Sequence, residues 1–210
     1  MRAVSKVPGE WIDGFLFVGN RPILDFVNTR PVLAQGPIEL LKDFDALGRW
    51  FIAAGIVNSV KTKRLFRRWH EHPEATAFLK ELIAFRERLR DAILRIESGS
   101  TPSDDFIKEL NARLLKYRAP NLLRKRNGRI VRETLFDPQR IADLWTPFVD
   151  GSANLLTETD TARLRQCESC VVHFYDTSKK GSRRWCSMNI CGNKIKVAAY
   201  HRRKHDSDSQ

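Results

Sequence analysis

Four cysteines, Cys167, Cys170, Cys186 and Cys191, fall in the last quarter of a 210-residue chain, and none precedes them. Their pattern, Cys-x2-Cys-x15-Cys-x4-Cys, constrains the fold more than any other feature. A Cys-x2-Cys pair sets two thiolates on one tight turn, and zinc takes sulfur or nitrogen ligands at tetrahedral corners. Fifteen residues let the chain go out and return before the second pair closes the site. Two disulfides or free thiols are the competing readings. The long cysteine-free stretch, and the absence of an apolar leader after Met1, favour a metal over disulfides. The expected zinc ligands are therefore Cys167, Cys170, Cys186 and Cys191. His173 and His201 are weaker substitutes, since a lone histidine is more often structural or exposed. Four thiolates leave no open coordination position, so the zinc is expected to be structural.

Around the cysteines the sequence predicts a strand over Val171–Tyr175, a turn over Asp176–Ser182 and a return strand over Arg183–Trp185. A helix is expected from about Gly192 to Lys204. This order of knuckle, hairpin and helix resembles a treble-clef finger.

Charge is uneven. Residues 161–210 carry 11 Lys/Arg against 4 Asp/Glu, a net +7 within a chain total of +12. Such density attracts polyanions, and phosphate contacts make binding salt-dependent. Arg183, Arg184, Lys194, Lys196, Arg202, Arg203 and Lys204 are the expected nucleic-acid contacts, with DNA the expected partner. A solvated charged face is the competing reading. No apolar run is long enough for a membrane span, and a cytoplasmic location is expected.

Before the finger, helical periodicity dominates. Helices are predicted over about Asp43–Ala54, Val60–Trp69, Glu74–Glu97, Ser103–Tyr117 and Gln139–Leu156, the last opened by Pro138 and kinked or divided at Pro147. The Glu74–Glu97 segment repeats Phe78, Leu82, Phe85, Leu89, Ile93 and Ile96 at helical spacing. Asn127-Gly128 predicts a hairpin within Leu122–Phe136. Leu24-Asp25-Phe26-Val27-Asn28-Thr29 suits a short buried helix. Its polar members, Asp25 and Asn28, either satisfy a cap or line a ligand pocket. Trp11–Asn20 reads as a short strand or an aromatic lead-in. The basic run Lys61 to His72 reads as a solvated helix face, with an extension of a nucleic-acid surface as the competing reading. No GxSxG, HExxH, GxxxxGK[ST] or GxGxxG motif is present, so the chain is read as not an enzyme.

The segment Trp185-Cys186-Ser187-Met188-Asn189-Ile190-Cys191-Gly192-Asn193-Lys194 resembles the CGNR zinc finger, with Lys194 where that family has Arg. Asp176-Thr177-Ser178 and Arg183–Met188 fit the same resemblance. Leu24–Thr29 resembles the opening motif of the ABATE domain, the finger's usual companion in stress-induced bacterial transcription regulators. The resemblance implies an ABATE-like domain over 1–157 and a finger over 158–210. It also implies a DNA-binding regulator whose N-terminal domain senses a small-molecule effector or forms a homodimer. The alternative is a small-molecule-binding protein or enzyme whose zinc only staples the tail. The expected fold class is α+β: a mostly helical N-terminal domain with a β-hairpin, plus a small treble-clef-like finger.

Overall fold

The computed structural model describes residues 10–33, 36–57, 59–118, 120–134, 136–193 and 197. Strands β1 (Glu10–Ile12) and β2 (Phe15–Phe17) open it, followed by helix α1 (Pro22–Val27) and strands β3 (Val32–Leu33) and β4 (Gly36–Pro37). Helices α2 (Phe44–Ala53), α3 (Ser59–Trp69), α4 (Pro73–Glu97) and α5 (Asp104–Lys116) come next. Strands β5 (Asn121–Arg126) and β6 (Arg129–Thr134), helix α6 (Thr146–Thr157) and strands β7 (Leu164–Gln166) and β8 (His173–Tyr175) complete the order. Each sheet among the described residues is a two-stranded antiparallel pair. The α+β class and its helical predominance are as the sequence predicts.

Two compact units form, and they do not follow chain order. One joins the residues up to Leu40 with those from Ala162 onward; the other is Leu41–Thr161. The sequence division at 157/158 lies near the second break. The first break, after Leu40, has no counterpart in it.

In Leu41–Thr161 local signals set the helix starts. The Asp43 carboxylate accepts from the Ala46 N–H at 2.7 Å, and the Ser103 hydroxyl accepts from the Phe106 N–H at 3.3 Å. The α4 stripe of Phe78, Leu82, Phe85, Leu89 and Ile93 is buried. Trp145 packs edge-on against Phe78 and Phe85, each with ring centroids 5.4 Å away, while the Arg113 guanidinium lies 3.9 Å over its ring. Gly48 lets α3 approach α2, since a Cβ there would meet the Phe66 ring at 2.7 Å.

The single helix predicted over Gln139–Leu156 is instead a 3-10 turn, Ile141–Trp145, running into α6. Asp143 accepts from the N–H groups of Gln139 and Arg140 at 3.0 and 2.9 Å, so this cap, and not Pro138, opens the turn. Pro147 sits in the first turn of α6, where its missing N–H costs nothing, and so it divides the two segments. The Asn127-Gly128 hairpin forms as predicted. Both residues have positive φ, 50° and 77°, as a two-residue type I′ turn requires.

Candidate metal centre

The cysteine knuckle is the turn between β7 and β8. Those strands pair Leu164 with Tyr175 and Gln166 with His173. Between them the Cys167 N–H donates to the Val172 carbonyl at 2.8 Å, and the Val171 N–H donates to the Cys167 carbonyl at 2.9 Å. Val171 takes a φ of 53° to make this turn, an uncommon conformation for a β-branched residue. The predicted partner of the Val171–Tyr175 strand was Arg183–Trp185. That pairing is corrected: the strand covers His173–Tyr175, β7 is its partner, and Arg183–Trp185 is not a strand.

The physical reason is the buried Asp176 carboxylate. Its two oxygens accept from the N–H groups of Ser178 and Arg183, each at 2.8 Å, which folds 176–183 into a loop and not a hairpin. Burial opposes ionisation of Asp176, but these backbone donors outweigh it and hold its pKa below the ordinary range. The loop then returns Cys186 to the knuckle, with the Glu168 N–H donating to the Arg184 carbonyl at 3.1 Å. Ser187 starts a π-helical turn, Met188–Gly192, its hydroxyl accepting from the N–H groups of Asn189 and Ile190. Gly192 is closely packed: a Cβ there would meet the Met188 sulfur at 2.5 Å and the Trp185 ring at 3.3 Å. The helix expected to continue to Lys204 lies outside the described residues, apart from its first turn.

The four sulfurs converge. All ligand atoms of Cys167, Cys170, Cys186 and Cys191 lie within 4.8 Å of one another. The Cys170 and Cys186 sulfurs are 3.6 Å apart, and those of Cys186 and Cys191 are 3.8 Å apart. A disulfide needs about 2.05 Å. Tetrahedral zinc with bonds of about 2.3 Å separates its sulfurs by about 3.8 Å, so the cluster fits zinc and not a pair of disulfides. The Ser169 and Val172 N–H groups turn toward the Cys167 and Cys170 sulfurs, which stabilises thiolate. The protons divide unevenly. Sulfur hydrogen bonds from Cys170 and Cys186 pull the Cys167 thiol well down. The hydrogen bond to Cys167 pushes Cys170 up, and those to Cys167 and Cys170 push Cys186 up. A divalent cation replaces such shared protons. The four thiolates then supply a structural cross-link with no position open to water.

The finger's core is not its own. Leu16 and Val18 join Cys167, Val172, Phe174, Cys186 and Cys191 in one buried cluster. The Asn28 amide donates to the His173 carbonyl at 2.7 Å and accepts from its N–H at 2.9 Å. The Asn20 amide donates to the Tyr175 carbonyl at 2.8 Å, and the Tyr175 N–H donates to the Gly19 carbonyl at 2.9 Å. Asp25 accepts from the Gly19 N–H at 2.8 Å, and a Cβ on Gly19 would meet Leu24 at 2.7 Å. So Asp25 and Asn28, read as cap or pocket residues, are buried with these internal partners.

The expected nucleic-acid contacts divide. Arg183 is half-buried; its guanidinium donates to the Cys186 carbonyl and lies 5.1 Å over the Phe174 ring. Arg184 is exposed and pairs with Glu168 at 2.8 Å. Lys194, Lys196, Arg202, Arg203 and Lys204 lie outside the described residues, as does His201. His173 is buried in β8 and is not among the clustered ligands. The sequence did not single out Arg163, whose guanidinium donates to the carbonyls of Asp176 and Ser178 at 3.1 and 2.8 Å. Among the described residues no helix is long and apolar enough to cross a membrane.

Comparison with known families bears on these observations. Residues 20–159 match the ABATE family model, described as "Putative stress-induced transcription regulator". Residues 163–204 match the model of the CGNR zinc finger. A search of curated proteins gives no match.

Proposed function

This chain belongs to the ABATE family and carries a CGNR zinc finger, and from that premise we propose that it is a zinc-containing transcription regulator that binds DNA through the finger. The observation that carries the reading is a closed four-thiolate centre inside a strongly basic segment. Such a centre has no coordination position for chemistry, so the module's exposed side chains are its working surface. On the loop that Asp176 organises, Lys179, Lys180 and Arg184 are exposed. Lys194, Lys196, Arg202, Arg203 and Lys204 would extend that surface, neutralising phosphates without reading bases. Lys194, standing for the family Arg, keeps the charge but lacks the fork needed for bidentate contact.

Sensing or dimerisation is assigned to the N-terminal domain. The test is a salt titration of zinc-loaded full-length protein on duplex DNA. Affinity should fall linearly on logarithmic axes, and Arg202→Ala with Arg203→Ala should flatten the slope by about two units, alike for all duplexes. A full-length, zinc-loaded chain that binds no duplex even at low salt would remove the reading.

A further inference from the structure

The β5–β6 hairpin belongs to the Leu41–Thr161 unit and has an unusual surface. Over Asn121–Thr134 it carries five cations, Arg124, Lys125, Arg126, Arg129 and Arg132, against one acid, Glu133. Every residue from Asn121 to Ile130 is exposed, as is Arg132. Leu123 and Ile130 are 75% and 66% exposed, so neither strand is laid down on a core by these side chains.

The register decides where the charges point. Arg124 pairs with Val131 and Arg126 with Arg129, which places Arg124, Arg126 and Arg129 on one face. Leu123 pairs with Arg132 and Lys125 with Ile130, which places Lys125 and Arg132 on the other. Both faces are therefore basic. A charged ribbon lying flat on a polyanion needs cations on one face only. A ribbon inserted turn-first between two walls of phosphate needs them on both.

B-DNA supplies such walls. Its major groove, about 12 Å wide, admits a two-stranded β-ribbon. Strands of six residues reach about 20 Å, enough to enter it with the turn leading. A-form RNA has a deep, narrow major groove that side chains cannot read. We propose that the β5–β6 hairpin is a second nucleic-acid element that enters the major groove of duplex DNA, with Arg124, Arg126 and Arg129 on one phosphate wall and Lys125 and Arg132 on the other. It deepens the DNA-binding reading, on which it rests, but its residues are separate from those of the finger.

The experiment titrates salt from about 50 to 200 mM on zinc-loaded full-length protein, with a random-sequence DNA duplex, an RNA duplex of equal length and anionic phospholipid vesicles as probes. Lys125→Ala with Arg126→Ala and Arg129→Ala should weaken duplex DNA binding roughly 10- to 100-fold and lower the salt slope by about two to three units. Arg126→Lys with Arg129→Lys should keep the slope, which separates lost charge from lost folding. Wild-type affinity and slope in the triple variant would overturn the proposal. So would an equal loss on duplex RNA, or a loss on vesicles with DNA binding unchanged. Losing affinity on Lys179→Ala with Lys180→Ala but not on the hairpin variant would sink the hairpin alone. The reverse would sink the finger and support the hairpin.

Discussion

Asn28 completes the edge of β8 with a side chain: its amide donates to the His173 carbonyl at 2.7 Å and accepts from the His173 N–H at 2.9 Å, across 145 residues of sequence. Both residues are buried, Asn28 to 1% and His173 to 1% exposure. The amide thus imitates one rung of a strand ladder. The Leu24–Thr29 motif and the cysteine module are parts of one folding unit, and a change in the first should be felt in the second.

Replacing Asn28 tests this directly. Asn28→Ala strands a buried donor and a buried acceptor of His173, which should cost about 2–4 kcal/mol. Asn28→Asp keeps the acceptor, removes the donor and turns a carboxylate oxygen toward the His173 carbonyl, so it should be no better. Denaturant unfolding and zinc release to a chromogenic chelator should shift together. Faster zinc release is the telling readout, because position 28 is not among the clustered cysteines. Unchanged zinc retention in both variants would show that the finger does not depend on this clamp.

Removing the N-terminal segment should have a related effect. Leu16 and Val18 bury apolar surface against the cysteine cluster. A fragment of residues 160–210 should therefore hold zinc less tightly than the full chain, as should Leu16→Ala with Val18→Ala in full-length protein. Loss of two such buried side chains typically costs several kcal/mol. Competition against a chelator of known affinity measures it. Equal affinities for fragment and full chain would mean that the finger folds alone.

Glu109 offers a pH test in the helical unit, away from the metal. Its carboxylate accepts from Arg88 at 2.6 and 2.7 Å and from Arg113 at 3.0 Å. Burial raises its pKa, but the guanidinium hydrogen bonds outweigh burial and the net shift is downward. A depressed folded-state pKa means the contribution is full above the unfolded value of about 4.3 and is lost as pH falls through the folded value. Because Arg88 is 44% exposed, solvent screening limits the effect of Glu109→Gln to about 0.5–1 kcal/mol at pH 7. Thermal unfolding of the two proteins should converge as pH drops below about 4. A constant gap down to about pH 3 would assign the effect to shape and not charge.

What the sequence made legible depended on how local the cause was. Helices α2 to α5 are set by spacing, caps and breakers within a few residues, and each appears within about two positions of expectation. The clustering of the four cysteines was legible because zinc chemistry restricts residue type and spacing together. The β1–β2 hairpin was missed although Asp13-Gly14 carries the same turn signal as Asn127-Gly128, with φ of 50° and 77°. Three-residue strands leave almost no alternation to confirm such a turn. The β7–β8 pairing was assigned to the wrong partner because the choice rests on Asp176, whose two backbone hydrogen bonds fold the following segment into a loop. The joining of residues up to Leu40 with the finger was beyond pattern reading. It is made by amide-to-backbone bonds and by two side chains of β2 and the residue after it, and no periodicity records a contact between segments so far apart.

The same structure divides the finger's cations by role. Arg183 donates to the Cys186 carbonyl and covers the Phe174 ring, so its guanidinium holds the segment that carries a ligand. Lys179 and Lys180 are exposed on the neighbouring loop. Arg183→Ala should therefore release zinc faster and lower finger stability by about 1–3 kcal/mol, since a charged hydrogen bond and a cation–π contact are both lost. Lys179→Ala with Lys180→Ala should leave zinc retention alone and lower the salt slope of DNA binding by up to about two units. Arg183→Lys discriminates further: it keeps the charge but not the planar group, so a purely electrostatic contact would survive it while the packing role would not. Zinc release and salt slope measured on all three variants decide the matter. If Arg183→Ala kept its zinc and lost only DNA affinity, Arg183 would be a phosphate contact and its bond to Cys186 incidental.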